Sequence, residues 1–380
     1  MDNKQTVSWG TIFSVASVAF GIHVGGGFAT GNQTVNFFVK YGWTAIIFPI
    51  IAVLLMNLVF RSGLLSAQLN QAANYREWAD GAYYPIHRVM GLVYEICYIV
   101  IVIMAVSTSV AGAGSLLETY GIPYLAGIVI AGAVFLLITI FGKELLAKAS
   151  SFMTVCIVIC MLILCVVGLT LPGGDLGAAV EVSNAPLGVG AAVWGMLQYV
   201  GYQAYTAATL SPYASTLKNK SGVNRMVCVN FLINGAMLFL STLMLMRWYP
   251  QIQGNTLPIL TIATMSGHSW LQYAYSLVLF FAFVSTGAGC TFGLVARFEH
   301  KVLPNMTLSL RRGIISAVSI VASVLMSTVG LTTLVAKGYG YLGIVGIFLM
   351  ILPCLTIVWY RNAKGTVTRA LPKEQASEDQ

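Results

Sequence analysis

The chain has 380 residues, of which 58% are hydrophobic and only 8% are charged, and its formal net charge is +8. Soluble domains carry roughly 25% charged residues. This composition excludes a soluble globular protein and predicts an integral membrane protein. All seven cysteines lie within apolar segments, which favours small buried side chains over disulfides or metal ligands.

The first apolar segment contains an unusual concentration of glycine. The stretch AFGIHVGGGFATGN, residues 19–32, holds five glycines in fourteen residues. Each glycine costs roughly 1 kcal/mol relative to alanine inside a helix. The sequence therefore predicts that the first membrane helix breaks near its middle.

Ten apolar segments are long enough to cross a bilayer, since a crossing helix needs about 20 residues. We call them spans 1 to 10, and they lie near residues 8–38, 42–66, 88–118, 122–141, 146–171, 187–215, 222–247, 269–298, 309–329 and 338–360. The polar connector at 67–87, between spans 2 and 3, is predicted to form a helix along the membrane surface.

Lysine and arginine predict the orientation of the spans. With both termini in the cytoplasm, all of the 20 basic residues except Lys40, Arg247 and Lys337 face the cytoplasm. A miscounted span would destroy this segregation, so the pattern favours ten spans. It also explains the positive net charge as a topology signal, without a nucleic-acid partner. The polar segment 361–380 is predicted to be a disordered tail.

A second break is predicted in span 6, at Tyr199–Gln203, about 176 positions after the first. Hydroxyl residues recur at a similar offset, at 107–109 in span 3 and at 285–286 in span 8. Because each set contains five spans, the second set must run with opposite topology, which is typical of an inverted repeat with broken helices. The predicted organisation is a first repeat at 1–171, an external connector at 172–186, a second repeat at 187–360 and the tail at 361–380. A role of the glycines in close helix packing is the alternative.

The glycine segment also carries a family resemblance. The stretch VGGGFATGNQTVNFF, residues 24–38, resembles the VGAGFASGQE type of motif in the YkvI-like bacterial membrane proteins. These proteins belong to the amino acid–polyamine–organocation superfamily with the LeuT fold, and the resemblance covers nearly all of 8–360. It implies an all-α protein of ten spans in a five-plus-five inverted repeat. In this fold spans 1 and 6 are broken, and the substrate lies between spans 1, 3, 6 and 8.

The break in span 1 is predicted to bind the substrate. Free amides from Gly25 to Ala29 suit a carboxylate, and free carbonyls around Phe20 to Val24 suit a cation. The predicted substrate-binding residues are Val24, Gly25, Gly26, Gly27, Phe28, Ser107, Tyr199, Tyr202 and Gln203. A hinge or packing notch without a ligand is the alternative.

Two adjacent hydroxyls in span 8 point to a coupling ion. By resemblance, Ser285 and Thr286 complete a sodium site with the carbonyls of Gly21 and Val24, and oxygen ligands of this kind suit an alkali cation. The alternative is that both hydroxyls bond back to their own helix. The side-chain amides of residues 32, 230 and 234 could supply oxygen ligands to a second sodium site or form interhelical hydrogen bonds.

His23 and Glu95 offer a rival to sodium coupling. A histidine or an acid inside a membrane span is a candidate functional residue, and the two could couple transport to protons. Glu95 could instead hold a gate through an ion pair with Arg88 or Lys148. Both interpretations remain open at this point.

Together these features and the resemblance predict a secondary active transporter of a bacterial inner membrane rather than an enzyme. The expected cargo is a small organic solute, an amino acid or related zwitterion, moved by symport with Na⁺ in preference to H⁺. No cofactor is expected apart from Na⁺, and the expected partners are the solute and the lipid bilayer. A solute sensor or accessory subunit of the same fold is the alternative function, and both a monomer and a homodimer remain open.

Overall fold

The computed structural model describes residues 6–141, 143–177, 180, 188–299 and 302–369. Within it, only the backbone is described at 141, 143–151, 154 and 296. All regular elements of the described chain are helices, which confirms the all-α expectation.

The helices of the first half largely coincide with spans 1 to 5. They are α1 (Trp9–Val24), α2 (Gly26–Ala29), α3 (Asn32–Phe37), α4 (Phe48–Leu69), α5 (Tyr75–Ala82), α6 (His87–Thr119), α7 (Tyr124–Phe141) and α8 (Lys143–Thr170). The connector between spans 2 and 3 contains a helix as predicted. This helix, α5, starts where the Asn74 side chain accepts hydrogen bonds from the backbone amides of Arg76 and Glu77.

The second half repeats the pattern of long helices with short interruptions. Its helices are α9 (Gly188–Gln203), α10 (Thr206–Thr209), α11 (Lys220–Arg247), α12 (Tyr249–Ile252), α13 (Pro258–Met265), α14 (Ser269–Phe298), α15 (Leu308–Ser327) and α16 (Leu331–Lys364). Helix α16 contains two wider, π-type stretches, at Leu334–Tyr339 and Ile347–Ile351.

Six of the described helices are long and apolar enough to cross a membrane, by length and composition. They are α4, α6, α11, α14, α15 and α16. Three shorter apolar helices, Trp9–Val24, Tyr124–Ile140 and Val155–Thr170, accompany them. Large apolar side chains are exposed on their outer faces, such as Val318 at 65% and Leu325 at 67%, and such surfaces suit lipid. The total of ten spans stays a prediction.

The predicted break in span 1 is present, and it is double. Helix α1 ends at Val24 and the chain turns at Gly25 before the single turn of α2. A second interruption, which the sequence analysis did not anticipate, lies at Thr30 and Gly31. Gly31 has a φ of 84°, a left-handed conformation that favours glycine. Span 1 is thus divided into three short helices.

The break in span 6 lies slightly later than predicted. Residues 199–203 are still helical, because the amide of Ala204 donates to the carbonyl of Val200 at 2.8 Å. The chain then tightens, and the amide of Ala207 bonds the carbonyl only three residues earlier, at Ala204. The predicted break at Tyr199–Gln203 is therefore corrected to residues 204–205.

Helix α9 packs directly on α16, backbone against backbone. A Cβ atom on Gly343 would lie 2.1 Å from the carbonyl oxygen of Gln198, and one on Gly201 would lie 2.1 Å from the carbonyl oxygen of Gly343. Only glycine permits this approach. The contact brings the wide turn of α16 next to the end of α9.

The segment after α16 is partly ordered, so the expectation of disorder is wrong for 361–369. The amide of Thr368 donates to the side-chain oxygen of Asn70 at 2.8 Å, and Arg369 pairs with Glu77 at 2.9 Å. These contacts attach the segment to the end of α4 and to α5. The rest of the predicted tail lies outside the described residues.

Candidate functional site

The glycines of the break lie in the centre of the helix bundle, between α6 and α14. A Cβ atom on Gly26 would lie 3.0 Å from the Phe283 ring of α14 and 3.3 Å from the Cα atom of Ser109 in α6. Gly25 faces α14 one turn further on, where a Cβ atom would meet Thr286 at 3.6 Å. The structure therefore brings the break of span 1 against spans 3 and 8, as the resemblance implies.

Gln33 covers Gly27 from the first turn of α3. A Cβ atom on Gly27 would lie only 2.2 Å from Nε2 of Gln33, so the amide rests directly on the glycine. The Gln33 side chain is 3% exposed, and its Oε1 has no hydrogen-bond partner among the described residues. The neighbouring Thr34 is completely buried and its hydroxyl is also unpaired within the described chain. The sequence analysis missed both residues, although two polar side chains directly after the glycine motif were a visible signal.

His23 occupies the last turn of α1 with both ring nitrogens in hydrogen bonds. Nδ1 bonds Oδ1 of Asn234, and Nε2 bonds the hydroxyl of Tyr199 at 2.5 Å. The Asn234 amide nitrogen donates to the Asn230 carbonyl and side-chain oxygens, so Oδ1 of Asn234 must accept from Nδ1 of His23. The Tyr199 hydroxyl is then the donor to Nε2, and the imidazole is locked in one neutral tautomer.

The hydrogen-bonded chain continues from His23 through three asparagines. Asn234 donates to Asn230 at 2.6 Å, Asn230 donates to Asn57 at 2.8 Å, and Asn57 donates to the carbonyl of Val53 at 2.8 Å. The chain therefore joins α1, α4, α9 and α11, and it ends on a backbone carbonyl. Asn230 and Asn234 serve interhelical hydrogen bonding, which was one of the two uses open for them.

Aromatic rings wall the site on the side of α9 and α16. The Tyr202 ring stacks on Tyr339 with the centroids 4.6 Å apart, and Phe37 of α3 lies 5.6 Å from Tyr202. The Tyr339 hydroxyl forms a hydrogen bond of 2.9 Å with Thr108 of α6. Tyr339 belongs to the wide turn of α16, so a fifth span contributes to the site, which the sequence analysis missed.

The remaining predicted substrate residues surround the break in different ways. Phe28 stacks on the imidazole of His23 at 5.4 Å, and Gln203 donates to the carbonyl of His23 at 3.4 Å. Val24 is buried at the end of α1. The hydroxyl of Ser107 instead donates to the carbonyl of Ile103 in its own helix at 2.7 Å. The substrate contacts of all of these residues remain predictions.

The two hydroxyls predicted for sodium lie on α14 beside the break. Ser285 and Thr286 are half-buried, and within the described chain neither hydroxyl forms a hydrogen bond. Thr291 in the same helix behaves differently, since its hydroxyl donates to the carbonyl of Gly287 at 2.7 Å. Bonding back to their own helix, the alternative for these two hydroxyls, is thus not observed. Gly21 and Val24, whose carbonyls are the other two predicted ligands, lie in the last turn of α1.

Glu95 is held by two arginines at the α5 side of the bundle. Its carboxylate accepts from Nη1 of Arg76 at 3.0 Å and from Nε of Arg297 at 2.6 Å. These partners replace those anticipated from the sequence: Arg88 is exposed, and the side chain of Lys148 lies outside the described residues. The partners come from the connector helix α5, 19 residues before Glu95, and from α14, 202 residues after it. We call Arg76, Glu95 and Arg297 the Glu95 cluster.

Tyrosines close the bundle next to the Glu95 cluster. Tyr75 stacks on Tyr98 at 4.0 Å, and Tyr98 forms a hydrogen bond of 3.1 Å with Thr209 of α10. Burial raises the pKa of Tyr75 to about 12, so its ring stays neutral beside the Arg297 guanidinium, 5.8 Å away. Both the ion pairs of the Glu95 cluster and the packed tyrosine rings therefore close this end of the bundle.

The opposite end is closed by the segment that contains α13. The amide of Ile259 donates to the carbonyl of Thr30 at 3.1 Å, and the Asn32 side chain donates to the carbonyl of Thr256 at 3.1 Å. A cavity of about 270 Å³ lies beside this contact and is lined by Ser115, Glu118, Thr119, Asn255, Thr256, Leu257, Leu260, Thr261 and Thr264. The central site is thus covered on both sides.

The chain is similar in sequence to a bacterial membrane protein. No family model matches the chain. The chain is 22% identical over 348 residues to the uncharacterized membrane protein YkvI of Bacillus subtilis (strain 168), and the match covers 90% of this chain and 94% of that protein. This similarity agrees with the resemblance found in the glycine motif.

Solved structures share the fold over nearly the whole chain. A mutant of the manganese transporter of Eremococcus coleocola matches with a TM-score of 0.62 and 14% identity, over 93% of this chain and 81% of that chain. The inward-facing conformation of Mhp1 matches with a TM-score of 0.58 and 13% identity, over 93% and 77%. A Na⁺-coupled sialic acid symporter in a substrate-bound outward-open state matches with a TM-score of 0.52 and 12% identity, over 92% and 86%. The chain therefore shares the fold of these three transporters.

Proposed function

We propose that the chain is a secondary active transporter that carries an amino acid or a related zwitterion by symport with Na⁺. The observation that carries this proposal is the twice-interrupted span 1, buried in the bundle centre and covered at both ends. In a transporter of this architecture, alternate opening of the two ends exposes the same central site to each side of the membrane. The finer fold that goes with it is ten spans in a five-plus-five inverted repeat, with both termini in the cytoplasm of a bacterial cell.

The chemistry of the lining supports an organic solute. The side chains at the break are amides, hydroxyls, phenols, an imidazole and aromatic rings, which offer hydrogen bonds and apolar contact to a small organic molecule. Manganese is the cargo of one fold neighbour. In the described part of this chain no group of three or more His, Cys, Asp or Glu side chains could hold a metal ion.

Two observations favour sodium over protons as the coupling ion. The hydroxyls of Ser285 and Thr286 are unpaired at the break, where hard oxygen ligands for Na⁺ are expected. His23 is engaged in a hydrogen-bonded chain that ends on the backbone carbonyl of Val53, and Glu95 is paired with two arginines. Asparagine amides do not pass protons on, so the chain beyond His23 offers no route for one.

The proposal is tested in two steps with the purified full-length protein. A thermal-shift screen of small solutes, each in NaCl and in KCl, is expected to give the largest stabilisation for a zwitterion in NaCl. The stabilising solute is then labelled and offered to proteoliposomes, which are expected to accumulate it under an inward sodium gradient. Binding without accumulation would favour the solute sensor instead. If accumulation does not depend on sodium and is driven by a pH gradient, the coupling ion is H⁺ and not Na⁺.

A further inference from the structure

The amide of Gln33 is exceptional among the amide side chains around the break. Asn32 donates to Thr256 and Thr332, Asn36 donates to Asn32, and Gln203 donates to the carbonyl of His23. Gln33 alone of these four is nine-tenths buried with its acceptor oxygen unpaired within the described chain. An amide oxygen buried without a donor costs free energy, so its retention points to a donor supplied by a ligand.

The position of this amide connects it with the break itself. Its Nε2, Cδ and Cγ atoms all lie within 2.7 Å of where a Cβ atom on Gly27 would stand, so the side chain is laid along α2. The hydroxyl of Thr34, the next residue of α3, is also buried and unpaired in the described chain. The first turn of α3 therefore places two buried oxygens, Oε1 of Gln33 and the hydroxyl of Thr34, that have no hydrogen-bond partner among the described residues.

We infer that Gln33 and Thr34 form the subsite for the amino group of the transported solute. An amide oxygen can only accept, so the complementary ligand group must be a donor, and an ammonium offers three N–H donors where a hydroxyl offers one O–H. The Thr34 hydroxyl, which is buried and unpaired in the same turn of α3, is the second acceptor of this subsite. This inference rests on the proposed function and adds a substrate specificity to it. The site selects solutes with an amino group over carboxylic acids without one.

The subsite has a stability consequence that a structural role would not have. Gln33→Met keeps the length of the side chain and removes only an unpaired amide, so the unliganded protein should melt at a higher temperature than the wild type. Gln68 provides a matched control, because its amide donates to the carbonyl of Ala214 at 2.9 Å. Gln68→Met removes a bond that is formed, so that variant should melt at a lower temperature.

The ligand consequence is measured with two probe mixtures in NaCl. One is an equimolar mixture of the proteinogenic L-amino acids, and the other contains the matching 2-hydroxy acids, in which a hydroxyl replaces the ammonium. The wild type and Gln68→Met should both respond to the amino acids at lower concentrations than to the hydroxy acids. Gln33→Met should need at least about tenfold more of the amino acids for half-saturation, a loss of about 1.4 kcal/mol. Thr34→Val should weaken the same preference.

The outcomes separate this inference from the proposed function. If Gln33→Met and Thr34→Val keep the wild-type preference for amino acids, or if Gln33→Met melts at a lower temperature or does not fold, the subsite is refuted. If the wild type responds equally to both mixtures, the subsite is refuted and transport of a carboxylic acid remains. If the wild type responds to neither mixture, both the proposed cargo class and the subsite are refuted.

Discussion

Gly27 and Gln33 show how a single missing side chain determines the site. The amide of Gln33 can lie on α2 only because residue 27 has no Cβ atom. Other glycines of the motif are required for different reasons. A Cβ atom on Gly26 would meet the Phe283 ring, and Gly31 has a left-handed backbone conformation. The glycines of the motif are therefore not interchangeable.

Gly27→Ala is predicted to disturb the Gln33 subsite more than the fold. The new methyl group would overlap Nε2 of Gln33, and the flexible side chain would have to swing away, at a cost of about 1–3 kcal/mol. We expect the preference for amino acids over hydroxy acids to be lost, as measured by thermal shift. Gly289→Ala is the control, because nothing lies within 4 Å of a Cβ atom there. A Gly27→Ala protein that retains the preference would contradict the proposed role of the Gln33 amide.

Removal of both hydroxyls from Ser285 and Thr286 is predicted to weaken sodium coupling. The double alanine variant loses two oxygen ligands, and a desolvated Na⁺ is then poorly compensated. The sodium concentration for half-maximal uptake should rise at least about tenfold, which corresponds to 1.4 kcal/mol. Thr291→Ala in the same helix is the matched control, since that hydroxyl bonds the carbonyl of Gly287. An unchanged sodium dependence in the double variant would remove both residues from the ion site.

At the level of elements, contacts between residues that are far apart in sequence position the helices. Helix α5 has only eight residues, yet it supplies Arg76 to the Glu95 cluster and binds Arg369, in the segment after α16, through Glu77. Helix α16 reaches the centre of the site because its contact with α9 is built from glycine backbone. These long-range contacts decide where the ends of the bundle close.

Glu95→Gln is predicted to loosen the α5 end of the bundle. The substitution removes the negative charge that two arginines share, and the side chains of the Glu95 cluster are only 14% to 24% exposed. Breaking such a pair leaves like charges facing each other. A cysteine at Thr209, in a background without other cysteines, should then react about tenfold faster with a thiol reagent.

Glu299→Gln is the control for this experiment, because Glu299 pairs with Arg312 of the following helix, which is not a member of the Glu95 cluster. It should leave the labelling rate at Thr209 unchanged. If Glu95→Gln also leaves that rate unchanged, the Glu95 cluster does not close this end of the site.

Gly343→Ala is predicted to be among the most destabilising conservative substitutions in the chain. The added Cβ atom would meet the Gln198 carbonyl oxygen at 2.1 Å, and backbone on both sides leaves no flexible side chain to yield. We expect a loss of about 3 kcal/mol or more, seen as a lower melting temperature in detergent. Gly235→Ala in α11, where a Cβ atom meets nothing within 4 Å, should melt no lower than the wild type. Equal melting of the two variants would contradict the tight α9–α16 contact.

At the scale of the whole molecule, α11 connects the two ends of the bundle. Its 28 residues extend about 42 Å at 1.5 Å per residue, which exceeds a hydrocarbon core of about 30 Å. The segments before and after it must therefore lie on opposite sides of the membrane if α11 crosses it. The basic residues of the sequence place the segment that precedes it inside.

Cysteine labelling of intact cells checks this orientation. Lys218→Cys should react only after the membrane is made permeable, whereas Gln253→Cys should react from outside, because both positions are exposed at opposite ends of α11. Both variants are made in a background without other cysteines. External labelling at 218 would overturn the predicted topology.

The sequence by itself determined the class of the protein, the extents of its main helices and the first break. Composition excluded a soluble protein, the apolar segments predicted the long helices with bounds that differ by up to seven residues, and the glycines around Gly25 marked the interruption. These properties are local, since they depend on residues within one turn or one span. Local propensity and hydropathy suffice to predict them.

Only the tertiary structure decided which side chains share the site and which partners they have. Arg297 lies 202 residues from Glu95, Asn234 lies 211 residues from His23, and Tyr339 lies 231 residues from Thr108. No local pattern fixes such pairs, because they depend on how the spans are rotated and how closely the glycine contacts let them approach. The unpaired amide of Gln33 is the extreme case, because only the folded structure shows that its buried Oε1 has no hydrogen-bond partner among the described residues.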